Sequence, residues 1–233
     1  GTEASVAAGG GGAAATGALV VALSGAGAAV SVPAGGALTA AASSAAAAPS
    51  APASAFQSAP SQQLRLPDQL REISGLAVAP DGRLFAHDDE HAVIYQLDVA
   101  RGAILKSFAL GSEAVTGDFE GLAISPDGAF WMTTSQGRLF RFTEGANGAN
   151  VAFEVFDSGL DEICEVEGLA YLPSEESLIL ACKQNHARRM RDEVSLYRWQ
   201  FSGRAQPWRT FREPDIAGAP RVEQFLPSSI EFV

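Results

Sequence analysis

The first 64 residues have almost no charge and few large apolar side chains. Glu3 is their single charged residue, and the rest is almost entirely Ala, Gly, Ser, Val, Pro and Thr. Folding must offset the loss of backbone entropy with buried apolar area, and Ala and Gly supply little of it. We therefore expect a disordered low-complexity segment over residues 1–63 and one folded domain over residues 64–233, which hold nearly all the aromatics.

The chain is also poor in basic residues, with a formal net charge of −11. Its one basic cluster, Arg188, Arg189 and Arg191, is short and is followed by Asp192 and Glu193. Nucleic-acid binding needs clustered Lys and Arg, so we expect no nucleic-acid partner. An acidic cleft suits metal cations or cationic ligands better.

A basic start is missing from the N-terminal segment as well. Residues 13–32 are uncharged and weakly apolar, and an Ala/Ser/Pro-rich run follows to Pro60. A secretory signal combines a basic region, an apolar region and small residues at the cleavage site, and here only the last two are present. One interpretation is an export signal whose beginning is lost, followed by a flexible linker; the other is low-complexity sequence without a targeting role. The first predicts a periplasmic, cell-envelope or secreted protein and leaves membrane association through the N-terminus open.

What is present beyond residue 65 is a repeat. The copies read Glu72-Ile-Ser-Gly-Leu-Ala, Asp118-Phe-Glu-Gly-Leu-Ala and Glu165-Val-Glu-Gly-Leu-Ala. Their aligned glycines, Gly75, Gly121 and Gly168, are 46 and 47 residues apart, and a fourth copy begins at Pro227. Small residues such as Gly121 recur on one face of each copy's first strand, which predicts close approach of a neighbouring sheet.

Each repeat unit contains further short runs rich in β-branched and aromatic residues. None of these runs has convincing helical periodicity. Second strands are predicted over 83–87, 129–134 and 177–183, third strands over 92–99, 138–143 and 194–201, and fourth strands over 103–110, 149–156 and 207–212. Four strands per period of this length are typical of a propeller blade. We predict an all-β fold, a β-propeller of four-stranded antiparallel blades over 64–111, 112–159 and 160–224, with the next blade starting in 225–233.

Three blades and one strand are too few to close a ring, and an unclosed ring leaves a long unpaired edge. We therefore expect a fragment that ends inside its fourth blade. The alternative is that several chains complete one ring.

These repeat motifs, together with Leu180-Ala-Cys-Lys-Gln184, resemble the bacterial SdiA-regulated family. The resemblance covers residues 64–233, about the first half of such a domain, and implies a six-bladed propeller that is often exported or membrane-associated. It also implies that Lys183 is a channel-facing polar residue, which either binds an anion or neutralises Glu167. The Asp-x-Glu-Gly-Leu-Ala element also occurs in phytase-like esterase propellers, so the resemblance leaves the activity open.

Acidic residues open the first strand of each copy. The candidate metal ligands are Glu72, Asp118, Glu120, Glu165 and Glu167. By analogy with other propellers, the first strands line the central channel, so repetition would gather these carboxylates at one mouth of it. Like charges held close raise one another's pKa or require a cation, and Ca²⁺ takes several carboxylate oxygens. The alternative is that these acids lie in solvent at strand ends or accept backbone N–H groups.

Hairpin pairing suggests a second acidic group in the first blade. If Ala79 pairs with Arg83, Glu72 lies opposite Glu90, which again implies a cation or a water-filled channel. The candidate ligand-binding residues are His87, Asp88, Asp89, Glu90 and Lys183. For His87 and His91 an ordinary polar loop is the competing interpretation.

Cysteine is scarce: the chain has only Cys164 and Cys182, without metal-ligand spacing. If Leu172 pairs with Ser177, Cys182 faces Glu167, and the two cysteine Cα atoms lie ~10 Å apart, beyond the ~7 Å limit for a bridge. We predict two free thiols, unless the start of the strand is distorted.

No nucleophile elbow, phosphate loop or His-Glu-x-x-His motif is present. The sequence therefore favours an exported, non-catalytic propeller that binds a small molecule or a protein, with calcium at the acidic channel mouth as an option. The alternative is a metal-dependent phosphoesterase or lactonase-type hydrolase. A third hypothesis is that the fragment has no function on its own.

Overall fold

The computed structural model describes residues 4–8, 66–113, 115–190, 193–212 and 227–232. Strand β1 (Ala4–Ala8) lies within the segment predicted to be disordered. The rest of that segment, with the predicted export signal and linker, lies outside the described residues. So do residues 213–226, which hold the end of the predicted third blade and the first residues of the next one. The described helices are single 3-10 turns, and none is long or apolar enough to cross a membrane.

Three antiparallel sheets follow one another along the chain, as the repeat predicts. The first contains β2 (Ile73–Val78), β3 (Leu84–Asp88), β4 (Val93–Asp98) and β5 (Ala103–Leu110). The second contains β6 (Phe119–Ile124), β7 (Phe130–Thr134), β8 (Arg138–Phe142) and β10 (Phe153–Asp157). The third contains β11 (Cys164–Leu172), β12 (Ser177–Asn185), β13 (Glu193–Trp199) and β14 (Gln206–Arg212).

Apart from β9, each sheet is a meander in which neighbouring strands follow one another in sequence, and the first strands β2, β6 and β11 lie side by side. The all-β fold and the propeller blades are therefore confirmed. One predicted strand is divided: β9 (Asn150–Val151) leaves the second blade and pairs in parallel with β5 of the first, so that the first sheet has five strands. The backbone of residues 150–151 thus fastens two blades together.

Aromatic side chains fill the spaces between the blades. Phe130 of β7 packs on Phe85 of the first blade with 5.0 Å between ring centroids. Its neighbour Trp131 points to the opposite face and packs on Trp199 of the third blade at 5.7 Å. Successive residues of a strand alternate between faces, so the middle blade supplies apolar groups to both interfaces.

Glycine lets the first strands approach, as the small-residue pattern predicts. A Cβ atom added to Gly121 would lie 2.6 Å from the backbone nitrogen and Cβ of Leu169 in the next blade. Both atoms belong to Leu169, a buried residue of β11, so neither can shift easily to make room. The glycine is therefore a packing requirement at this position.

A β-bulge interrupts every first strand one residue before its aligned glycine. The ladder partners skip Ser74, Glu120 and Glu167. The residue just before the bulge then uses its N–H for the preceding blade: Phe119 donates to Asp89 O at 2.7 Å and Val166 to Ser135 O at 2.8 Å. A bulge bends the strand and changes the direction of the bulged side chain. The same irregularity therefore accompanies the bonds between blades and redirects the side chains of Ser74, Glu120 and Glu167.

The third blade has a second bulge, on β12, where the ladder skips Lys183. The bulge at Glu167 places Cys182 opposite Val166, and Cys164 then lies diagonally across from it. The cysteines form a disulfide with 5.7 Å between their Cα atoms. The prediction of two free thiols is therefore wrong, because it assumed an uninterrupted ladder from Leu172 and Ser177, which do pair.

The fourth copy contributes β15 (Pro227–Phe232), which neighbours β11 and pairs antiparallel with β1. The sequence does not predict this pairing. A strand edge presents unpaired backbone groups, which can bond any extended segment regardless of its side chains.

Candidate functional site

The bulges bring together four polar side chains from the three blades. Ser74, Glu120 and Glu167 are the bulged residues of β2, β6 and β11, and Lys183 is the bulged residue of β12. We call these four residues the acidic row. Its contacts run from blade to blade, starting with the Ser74 hydroxyl, which donates to Glu120 Oε2 at 2.9 Å.

Glu120 is the centre of the row. Its surroundings disfavour the charged carboxylate: burial has the largest effect, and the negative charges of Glu167 and Asp118 add to it. The hydrogen bond from Ser74 and the charge of Lys183 act in the opposite direction but do not compensate. The pKa of Glu120 is thereby raised to about 7, so this group changes charge near neutral pH.

Glu167 and Lys183 form an ion pair with 2.5 Å between Oε1 and Nζ. The Glu167 side chain is buried and that of Lys183 partly exposed. Burial raises the pKa of Glu167 despite the hydrogen bond from Lys183. Burial also acts to lower the pKa of Lys183, but the hydrogen bond to Glu167 and the charges of Glu167, Glu165 and Glu120 together raise it.

Two further predicted acids border the row. Glu165 Oε1 lies 4.0 Å from Lys183 Nζ, at the limit of an ion pair. Asp118 accepts a hydrogen bond from the Ser135 hydroxyl at 2.5 Å, and its negative charge raises the pKa of both Glu120 and Glu167. Asp118, Glu120, Glu165 and Glu167 therefore belong to one electrostatic group, as the repeat predicts.

Glu72 lies apart from that group, in a hollow of about 250 Å³ in the first blade. The hollow is lined by Asp68, Gln69, Arg71, Glu72, Asp88, Asp89, Glu90, His91 and Tyr95. The predicted pairing of Glu72 with Glu90 is wrong by one residue, because the bulge at Ser74 places Asp88 opposite Ile73. Asp88 accepts the N–H groups of Glu90 and His91 at 3.0 and 2.7 Å, which is ordinary turn capping.

His87 faces neither the hollow nor the row. Its ring is fully buried, lies against Phe119 and has Nδ1 2.6 Å from the backbone oxygen of Asp88. Burial lowers its pKa despite the nearby Asp88 and Asp89, so the ring is neutral at pH 7. Gly75 leaves room for it, since an added Cβ there would lie 2.1 Å from His87 Nε2. We therefore assign His87 to the packing between blades.

The acidic row does not form a ready-made metal cage. Over residues 66–113, 115–190 and 193–212, no three His, Cys, Asp or Glu side chains are grouped as metal ligands would be. The Lys183 ammonium already provides a positive charge beside Glu167 and Glu165. A Ca²⁺ ion bound at Glu167 would need Lys183 to move away.

Ser74 is the member of the row that the sequence predictions omit. They select acidic residues at positions one and three before the aligned glycine, and Ser74 occupies the first of these positions without being acidic. The alignment of the repeat alone would have found it.

Comparison with known proteins gives no family assignment. No protein-family model matches the chain, and no curated protein sequence matches it.

Solved structures of low identity have a similar fold. A virginiamycin B lyase from Staphylococcus aureus, crystallised with quinupristin in an inactive form, is 15% identical, with a TM-score of 0.42 over 63% of this chain and 44% of that chain. The Swd1 β-propeller domain of Myceliophteria thermophila is 14% identical, with a TM-score of 0.40 over 66% of this chain and 49% of that chain.

A candidate 6-phosphogluconolactonase from Bacteroides fragilis is 11% identical, with a TM-score of 0.41 over 73% of this chain and 44% of that chain. The matches thus cover 44%, 49% and 44% of these three solved structures, less than half of each. Enzymes and a protein with no stated activity are both among these structures.

Proposed function

We propose that this chain is part of an exported propeller of the SdiA-regulated type, which binds a cationic ligand at the acidic row without transforming it. The observation that carries the proposal is the position of Glu120. Within the part of the chain that the structure describes, its one hydrogen-bond donor is the neutral Ser74 hydroxyl, while Glu167 and Asp118 both repel its charge. A cation placed beside Glu120 would relieve that repulsion.

The charge of the site favours a cationic ligand over an anionic one. Asp118, Glu120, Glu165 and Glu167 supply four carboxylates, and Lys183 supplies one ammonium, which Glu167 already holds. An organic ammonium or guanidinium group can donate hydrogen bonds to Glu120 while the Glu167–Lys183 pair stays intact. Calcium remains an alternative occupant, at the cost of breaking that pair.

The disulfide supports export. Bonds such as Cys164–Cys182 form and persist in oxidising compartments and are rare where glutathione and thioredoxin keep thiols reduced. A periplasmic, cell-envelope or secreted location is therefore part of the proposal.

Isothermal titration calorimetry with calcium chloride, choline and arginine methyl ester tests the proposal. Binding of the organic cations should strengthen as the pH rises from about 6 to about 8, because Glu120 ionises over this range. Glu120→Gln should abolish that increase. The exposed Glu154→Gln, whose carboxylate pairs with Arg141 at the surface, is the matched control and should bind as wild type does. Absence of binding by all three cations at every pH would refute the proposal.

A hydrolase is the second candidate, and the raised pKa of Glu120 favours it. A carboxylate whose pKa is about 7 is suited to act as a general base at neutral pH. A panel of phosphomonoesters, phosphodiesters and lactones, with and without Ca²⁺, tests this function. Turnover that Glu120→Gln abolishes and Glu154→Gln preserves would replace the binding proposal with this one.

A further inference from the structure

The disulfide lies directly beside the two bulges of the third blade. Cys182 immediately precedes the bulged Lys183 on β12, and Cys164 lies three residues before the bulged Glu167 on β11. Both cysteines are buried in the apolar core between the second and third blades. The bridge thus joins the two strands on the core side, immediately behind the side chains that face the acidic row.

The two bulges decide which side chains enter the core. In an uninterrupted ladder, Cys182 would lie opposite Glu167 and Lys183 opposite the buried Val166. A shift of one residue moves every side chain to the other face of a strand. The bulges instead place Cys182 opposite Val166 in the core and leave Lys183 outside, within reach of Glu167.

The backbone ladders of the third sheet are interrupted in the same region. The ladder between β12 and β13 ends at the pair Cys182 and Ser195, and beyond it β12 reaches β13 through the Asn185 side-chain amide, which donates to Glu193 O at 2.7 Å. There the β11–β12 ladder is itself broken, by the bulges at Glu167 and Lys183. Bulged residues leave their ladder positions unpaired. The ladder resumes beyond them with Glu165 opposite Gln184 and Cys164 opposite Asn185, so the bridge and these two pairs together hold the strand ends.

The other two blades provide an internal comparison. Each has the bulge on its first strand but none on its second, and neither has a cysteine. Only the third blade carries both the second bulge and the bridge, and only there does a lysine join the row.

We propose that the Cys164–Cys182 disulfide is a positioning device for the acidic row: it holds the paired bulges closed and keeps Lys183 on Glu167. The oxidised protein has the ion pair in place. With the cysteines reduced, the ends of β11 and β12 separate locally, Lys183 loses Glu167, and the charge around Glu120 becomes more negative. This proposal uses the site of the proposed function but does not depend on which ligand binds there.

The test compares the oxidised protein with the Cys164→Ser/Cys182→Ser variant. NMR titration should show the raised pKa of Lys183 falling toward the ordinary value of lysine in the variant. Hydrogen exchange of the amides around Glu165 and Lys183 should become at least about tenfold faster, while the first blade keeps its protection. The matched control is Leu178→Ala, which removes a buried side chain from β12 far from the bulges and leaves the bridge in place. It should lower overall stability without changing the Lys183 titration.

An unchanged Lys183 pKa in a folded variant would overturn the proposal, whatever the stability. If the serine variant does not fold, Cys164→Val/Cys182→Ala, which keeps the site apolar, takes its place. Alkylation of the native protein followed by mass spectrometry gives a further outcome: two free thiols in a protein whose Lys183 pKa is raised would also overturn it. Neither readout uses a ligand, so a failure of cation binding would refute the proposed function alone.

Discussion

Replacing Glu120 by glutamine should make the protein more stable at alkaline pH and leave it unchanged at acid pH. The pKa of Glu120 is about 7 in the folded protein against an ordinary value of 4.5. Burial penalises the charged form only in the folded state, so the contribution of Glu120 to stability is fully present below about pH 4.5 and is lost as the pH rises through about 7. Glutamine carries no charge, and its Oε1 can still accept the Ser74 hydroxyl.

The pKa difference sets the size of this effect. At ~1.4 kcal/mol per pKa unit, the full difference corresponds to about 3 kcal/mol. Glu120 is partly exposed, and screening by water reduces this to about 1–2 kcal/mol. We therefore expect the free energy of unfolding of Glu120→Gln to exceed that of the wild type by this amount at about pH 8.

Urea unfolding followed by tryptophan fluorescence, at about half-unit steps from pH 4 to pH 8.5, measures this difference. The gap between the variant and the wild type should open between about pH 4.5 and pH 7.5. The exposed Glu154→Gln should show no such gap. Parallel profiles for Glu120→Gln and wild type across this range would refute the inference that burial and like charges surround Glu120.

Two further predictions concern contacts that join or fill the blades. Glu144 of the second blade binds Arg83 and Lys106 of the first, and the hydrogen bond from Arg83 lowers the pKa of Glu144. The contribution of Glu144 to the stability of the fold is therefore present above about pH 4.5 and is lost as the pH falls below that value. Glu144→Gln should reduce the free energy of unfolding by about 1 kcal/mol at pH 7 and by nothing near pH 3, and an equal loss at both pH values would contradict the ion-pair explanation. Gly75→Ala places a Cβ 2.1 Å from His87 Nε2 and should cost about 2–3 kcal/mol in thermal unfolding, whereas the double variant with His87→Ala should lose less than the two single losses combined.

The sequence predicted the blades well because the repeat reveals its strands through alternation and turn residues. The fourth strand of the first blade, Ala103–Leu110, has the predicted bounds, and most others differ by one or two residues. The exception, β9, is set by an interaction between blades: Asn150 and Val151 pair with β5, and no local pattern reports such a pairing.

The site was predicted in part, for the same reason. The structure brings Asp118, Glu120, Glu165 and Glu167 close to one another, because equivalent residues of adjacent blades lie side by side. Glu72 lies apart from them, since in its blade the position before the glycine is Ser74 and the acid lies in the hollow of the first blade. Whether a cation joins these carboxylates stays a prediction.

The sequence by itself determined the period, the two-faced first strands and the concentration of acids near their starts. These depend on local geometry, in which alternation and turns are encoded residue by residue. Only the tertiary structure decided the bulges, and with them the disulfide, the Glu167–Lys183 pair and the raised pKa of Glu120. At the bulges of β6 and β11, the N–H of Phe119 or Val166 bonds the preceding blade, an interaction with a partner outside the strand.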